Sequence, residues 1–270
     1  MSGFSIDWLD LREDADRRAR NAALREQALG WLEDSRCAAP GPVVVDLGAG
    51  TGSTLRALAP AGQFPPTWRL VDHDHALLAE ARRRHGSTQQ LETCAVDLSD
   101  FGKLPLDGAR LVTASALFDL VSADFIEALA KALQTQCQRS PVGIYAALNY
   151  DGSTHWTPAH PLDDIVLHAF NQDQRQDKGF GPALGPEAGN VMHSLFTQAG
   201  FEVYSASSPW VLEGSDQRLV AELIAGIAGA VAGSPGLDAS ALHEWVRFRQ
   251  SKVTSGTCIV GHTDLLALPV

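Results

Sequence analysis

Apolar positions along the chain change period several times, and those changes mark out its elements. Over residues 11–32 they recur at helical spacing (Leu11, Ala15, Ala19, Ala22, Leu24, Ala28, Leu32), with charged residues on the other face. That pattern predicts one or two N-terminal helices, ended by a Pro/Gly break at residues 38–42. The run 42–47 is short, β-branched and apolar up to Asp46, as in a strand buried on both faces. Further strands are predicted at 68–71, 93–96, 110–114 and 142–148. Between them a helix starts at Ser53 and others span 76–84 and 123–135. Such alternation implies a parallel sheet covered on both faces, doubly wound by right-handed crossovers.

After Leu148 the rhythm breaks. Residues 149–186 are polar and rich in His, Asp, Gln, Gly and Pro, with a helix predicted at 163–172. A connection of that length in a compact domain is usually functional. Alternation then resumes with a helix at 189–199, a strand at 201–205, two helices at 216–232 and 238–251, and a last strand at 257–263. The most apolar stretch, 219–233, is too short to span a bilayer and is interrupted by Glu222 and glycines, so it is expected to be a buried helix.

Composition narrows the function class. The formal net charge is −11, and no basic stripe is visible, which argues against a nucleic-acid partner. Arg82–Arg84, the densest basic cluster, falls at a predicted helix end, where cations suit the helix dipole. The four cysteines (Cys37, Cys94, Cys137, Cys258) are scattered, which favours a reducing compartment over a disulfide framework. With no signal-like N-terminus, the expected location is cytoplasmic, without membrane attachment.

The strongest local signal is Val43-Val44-Val45-Asp46-Leu47-Gly48-Ala49-Gly50-Thr51-Gly52. Glycines after a buried strand let backbone approach a ligand closely, and in open parallel sheets ligands bind at the carboxyl ends of the strands. Gly48, Gly50 and Gly52 give Gly-x-Gly-x-Gly followed by Ser53, which departs from the Gly-x-Gly-x-x-Gly of dinucleotide sites. No lysine is present to make a phosphate loop.

This turn resembles the first motif of class I S-adenosylmethionine-dependent methyltransferases. Val71-Asp72-His73-Asp74-His75-Ala76-Leu77-Leu78-Ala79-Glu80-Ala81-Arg82 is similar to the family's second motif, Val96-Asp97-Leu98 to its third, and Ala199-Gly200-Phe201 to the start of its penultimate strand. The resemblance implies a seven-stranded, mostly parallel Rossmann-like sheet with its last strand antiparallel. It implies S-adenosylmethionine as cofactor and S-adenosylhomocysteine as product. Asp46, Gly48, Gly50 and Gly52 would border the methionine part, and Asp72, with His73 beside it, would accept from the ribose hydroxyls. Asp97 and Leu98 would meet the adenine, and Ser115 the methionine part again. Arg20, on the N-terminal helix, would pair with the methionine carboxylate. Two departures are the long 149–186 insert and a helical pair before the last strand where the family usually has a hairpin.

Methyl transfer from a sulfonium needs alignment above all, and a base only when the acceptor must lose a proton. Candidate bases lie in the insert, His155 and His168 foremost, with His160 nearby. No metal site is expected. Asp72-His73-Asp74-His75 is rich in ligand types, but Asp72 is assigned to ribose and no third ligand cluster accompanies it. Some members of the family hold magnesium after the fourth and fifth strands, where this chain has Asp119, Asn149 and Asp151.

The expected organisation is one domain over 1–270: a helical cap (1–40), a cofactor-binding core (41–148), a substrate-cover insert (149–188) and the rest of the sheet (189–270). The leading expectation is methyl transfer to a small-molecule acceptor by a monomer or homodimer. Open alternatives are a protein methyltransferase and a non-catalytic S-adenosylmethionine-binding protein. A nicotinamide-dependent oxidoreductase is disfavoured by the glycine spacing. A related aminopropyl transferase would need an acidic diamine pocket that the sequence does not place.

Overall fold

Each period change becomes an element boundary in the computed structural model, which describes residues 4–33, 41–58 and 65–270. Cys37 and most of the 38–42 break lie outside the described residues. Helices α1 (Ile6–Ala19) and α2 (Ala22–Glu33) precede β1 (Val43–Leu47), α3 (Ser53–Ala57), β2 (Thr67–Asp72), α4 (His75–His85) and β3 (Gln90–Ala95). Then come β4 (Ala109–Ser115), α5 (Ala123–Cys137), β5 (Gly143–Thr157), α6 (Asp163–Asp173) and α7 (Ala188–Gln198). The chain ends with β6 (Phe201–Ser207), β7 (Trp210–Leu212), α8 (Gln217–Val231), α9 (Ala239–Gln250) and β8 (Thr257–Pro269).

The strands form one sheet in the order β3-β2-β1-β4-β5-β8-β6, with β7 also paired to β8. β1 to β5 are parallel, and β8 runs antiparallel to β5, β6 and β7. This is the doubly wound, Rossmann-like methyltransferase architecture with helical insertions. It has eight strands where seven were expected, because the three residues of β7 carry too short a pattern to be read. Strand order reverses beside β1, so the crevice between the ends of β1 and β4 is the topological switch point.

Alternation along β1 feeds two layers. Val45 and Leu47 join Phe118, Ile126, Leu129, Met192 and Phe196 on the face covered by α5 and α7. Val44 joins Leu24, Ala28, Leu70, Leu78 and Leu266 on the other face. A third core lies beyond the sheet, where Ile224, Ile227 and Val231 of α8 meet Trp245, Trp210 and Val166. The apolar stretch in α8 is thus turned inward. Among the described residues, no helix is long and apolar enough to cross a membrane.

The largest difference from the expected layout is in β5 and β8. Strand β5 runs on to Thr157 and β8 to Pro269, so the first part of the expected insert, residues 149–157, is strand. The pairing jumps register between Ala146 and Asn149 and again between Tyr150 and Thr154. Leu148 takes a positive φ of 57° at the first jump, a conformation costly for a branched side chain. The buried Asp264 carboxylate holds it there. Asp264 accepts from the Leu148 N–H at 2.8 Å, the Asn21 N–H at 2.9 Å and the Tyr145 hydroxyl at 3.1 Å. Three donors offset the cost of burying the carboxylate.

Candidate functional site

The turn after β1 is stitched to the end of β2. Gly50 has φ +52° and donates its N–H to Asp72 Oδ2 at 2.9 Å. A Cβ at Gly50 would come within 3.1 Å of Leu9 Cδ1, so a side chain there would fill the space beneath α1. The other Asp72 oxygen accepts from the Asp74 N–H at 3.0 Å, and His73 Nδ1 lies 3.4 Å away.

Asp74 has a different task. It caps α4, accepting from the Ala76 and Leu77 N–H groups at 2.7 and 3.2 Å, and it does not line the cavity. Asp74→Ala is therefore expected to cost about 1 kcal/mol of stability, read by thermal melting, with ligand affinity at the Asp72 site unchanged by calorimetry.

A cavity opens at the switch point. Its floor and sides bring together Gly48, Gly50, Asp72, His73, Asp97, Leu98 and Ser115. These came from four separate stretches of sequence. Asp97 is exposed. Its Oδ1 accepts from the Ser99 N–H at 2.9 Å and hydroxyl at 2.7 Å, and these bonds hold its carboxyl below the usual range.

Asp46, Gly52 and Arg20 stand behind the lining rather than in it. The buried Arg20 donates one nitrogen to Ser53 Oγ and Ser115 Oγ, both at 3.1 Å, while its Nη1 has no partner. Asp46 accepts from Thr113 Oγ1 at 2.8 Å and leaves Oδ2 unpartnered. Burial pushes its carboxyl up to about 7 against the pull of Thr113 and Arg20.

Helix α1 roofs the cavity with Leu9, Arg12 and Asp16. Ion pairs tie it down: Glu13 to Arg56 at 2.7 Å, Asp10 to Arg84 at 2.6 Å and Arg18 to Asp216 at 2.7 Å. Arg56 also donates to the Thr51 carbonyl at 2.7 Å, joining roof to turn. Leu117, Leu120 and Phe180 supply an apolar wall.

The histidines named as bases are not brought to this cavity. His155 and His168 are exposed and absent from its lining. On α6 the buried residues are Val166 and Ala169, so His168 projects outward, beside Gln172. On β5 Thr154 is buried, and strand alternation leaves His155 exposed. His160 is occupied locally, its Nδ1 accepting from the Leu162 N–H at 3.2 Å.

The structure assembles in the cavity wall a buried polar group that no local pattern joins together. Arg12 pairs with Asp16 through two bonds of 2.9 and 3.1 Å. Asp16 also accepts from Trp210 Nε1 at 2.9 Å, and Arg12 lies 5.1 Å from the Trp210 ring. His262 lies 5.1 Å from that ring and 6.3 Å from Tyr150. The i,i+4 spacing of Arg12 and Asp16 was a usable signal for their pairing; the meeting with β8 was not. Among the described residues no group of three or more potential ligands could hold a metal ion.

No family model matches the chain, and no curated protein does. Solved structures do. A cyclopropane-fatty-acyl-phospholipid synthase-like protein from Lactobacillus casei is 13% identical, with 96% of this chain and 99% of that one covered and a TM-score of 0.51. A cyclopropane synthase from Mycobacterium tuberculosis is 13% identical, covering 98% and 94%, with a TM-score of 0.50. A Haemonchus contortus phosphoethanolamine methyltransferase, solved with S-adenosylhomocysteine, is 15% identical over 90% of this chain, at a TM-score of 0.45. This chain spans 52% of its length. At such identities the likeness is one of fold.

Proposed function

We propose that this chain, acting as one domain, transfers the methyl group of S-adenosylmethionine to a small-molecule acceptor. The observation that carries this is the convergence of Gly48, Gly50, Asp72, His73, Asp97, Leu98 and Ser115 on one cavity at the switch point of the sheet.

The residues present fit the cofactor. Asp72 is buried at the cavity edge with its oxygens set by Gly50 and Asp74, a placement suited to ribose hydroxyls. Asp97 and Leu98 offer a polar and an apolar contact for the base. The unpartnered Arg20 Nη1 and Asp46 Oδ2 are one cationic and one acidic atom behind the same wall, which complements the carboxylate and ammonium of the methionine end. The bound cofactor would supply an electrophilic methyl group. This chain's residues would bind it, exclude water under α1 and align the acceptor. The apolar wall of Leu117, Leu120 and Phe180 supports a small acceptor beside the cofactor.

Calorimetric titration with S-adenosylmethionine, S-adenosylhomocysteine and NADH tests this. Binding of both adenosyl compounds without NADH is expected; NADH alone would sink the proposal. Arg20→Met is expected to weaken S-adenosylhomocysteine about tenfold, the loss of one charge-assisted contact. The same variant should leave 5′-methylthioadenosine, which lacks the amino-acid end, nearly unaffected.

A further inference from the structure

The glycine turn is held from two sides. Asp72 grips Gly50 from the end of β2, and Arg56 of α3 grips Thr51 from behind. Every N–H donor of the Arg56 guanidinium has an acceptor. Nε and Nη2 reach the two Glu13 oxygens on α1, and Nη2 also lies 3.4 Å from Thr51 Oγ1. Nη1 donates to the Thr51 carbonyl at 2.7 Å and to His85 Nε2 at 2.9 Å. One side chain thus joins the roof, the turn and the end of α4. Thr51 lines the cavity; Arg56, Glu13 and His85 stand outside it.

These contacts fix the state of His85. A guanidinium cannot accept, so His85 Nε2 is the acceptor, the ring proton sits on Nδ1 and the imidazole is neutral. The ring packs on the turn itself. A Cβ at Gly52, which has φ +88°, would lie 3.1 Å from His85 Cδ2 and 3.3 Å from Nε2. The charged groups facing His85 are Arg56 from α3, Glu13 from α1 and Arg84 from its own helix. Arg84 is matched by Asp10 and Glu80. Burial and Arg56 hold the imidazole below its ordinary range, against the pull of the Thr51 carbonyl.

We propose that Arg56 is a positioning residue for the cofactor, a latch that fastens α1 over the glycine turn, and that protonation of His85 releases it. This rests on the methyl-transfer proposal above. A proton on Nε2 turns the acceptor at 2.9 Å into a donor facing a donor, and sets two cations in contact. The same Nε2 lies 3.3 Å from the Thr51 carbonyl. A protonated ring therefore competes for that oxygen, and Arg56 is driven off it. Arg56 can still hold Glu13, but it no longer ties α1 to the turn. The latched state requires neutral His85. Latching is therefore complete above the ordinary histidine pKa of about 6.5, weakens as pH falls below it, and levels off below the lower pKa of the latched state.

The test is the dissociation rate of S-adenosylhomocysteine, read by surface plasmon resonance, with hydrogen exchange of the α1 amides in the free protein as a second reading. Arg56→Met is expected to speed dissociation about tenfold at neutral pH and above, the loss of a charge-assisted contact, and to speed exchange in α1. Wild-type dissociation should quicken as the solution is acidified below the ordinary histidine range. His85→Gln keeps an acceptor for Arg56 but takes up no proton. It should match the wild type at neutral pH and stay slow in acid. Asp46, at about 7, titrates in the same range, so the reading is the difference between wild type and His85→Gln. Wild-type dissociation or unchanged α1 exchange in Arg56→Met would overturn the latch. Equal acid acceleration in His85→Gln and wild type would overturn its release by His85. Each of these leaves the methyl-transfer proposal standing, whereas failure of S-adenosylhomocysteine to bind the wild type would sink both.

Discussion

Asp72→Ala is expected to lower S-adenosylhomocysteine affinity by at least about 100-fold. On the proposed function its carboxylate accepts from the ribose hydroxyls, and charge-assisted hydrogen bonds contribute ~1.5–3 kcal/mol each. Two of them correspond to about 3 kcal/mol, or roughly two decades in Kd. The loss is compounded because Asp72 also accepts from Gly50 at 2.9 Å and from Asp74 at 3.0 Å. Without it the glycine turn loses its tie to β2. Asp72→Asn keeps the shape and one oxygen acceptor and should fall between wild type and Ala. Calorimetry read beside the Asp74→Ala control separates binding from folding. Wild-type affinity in Asp72→Ala would place the cofactor elsewhere in the molecule.

The largest stability effect is expected far from the cavity, at Asp163→Ala. Arg249 of α9 has 1% of its side chain exposed and places its guanidinium on Asp163 at the start of α6. The same guanidinium donates to the Pro158 carbonyl at 2.7 Å and lies 5.0 Å from the Trp156 ring. Asp163 also accepts from Trp245 Nε1 at 2.9 Å and from the His160 N–H at 2.7 Å. Removing the carboxylate leaves a buried cation and two donors unmatched, a loss of roughly 3–5 kcal/mol. For a chain of this size that lowers Tm by about 5–10 °C. Pairing Asp163→Leu with Arg249→Met should recover much of the loss, because no charge is then left buried. A drop of less than about 1 kcal/mol in thermal or urea melts of Asp163→Ala would mean that water reaches the pair.

Much of the site was legible because its parts are local. The glycine turn, Asp72 and Asp97 each follow a strand within a residue or two, and an apolar run ending in an acid shows without any partner strand. The parallel core was legible for the same reason, since strands buried on both faces write continuous apolar runs. Three features were not. Residues 149–157 look like loop because Asn149, Asp151, Gly152 and Ser153 interrupt any alternation. They are strand because β8 offers them a partner. His155 and His168 attracted attention by residue type, and their neighbours on strand and helix decided that they face away. Asp119 was weighed only as a magnesium ligand, when it is buried with Arg12 as its charged neighbour.

By itself, then, the sequence determined the order of strands and helices, the doubly wound class and the turn at Asp46–Gly52, because each depends on period or on residues a few positions apart. Tertiary structure alone decided which side chains share the cavity wall. Arg12 meets Trp210 and Asp16 accepts from it across 194 residues of chain, and Tyr150 faces His262 only through the shifted register of β5 and β8. Such meetings are set by strand register and by how α1 packs over the sheet. A one-residue slip would turn every side chain of a strand to its other face, and no local pattern in the chain records that choice.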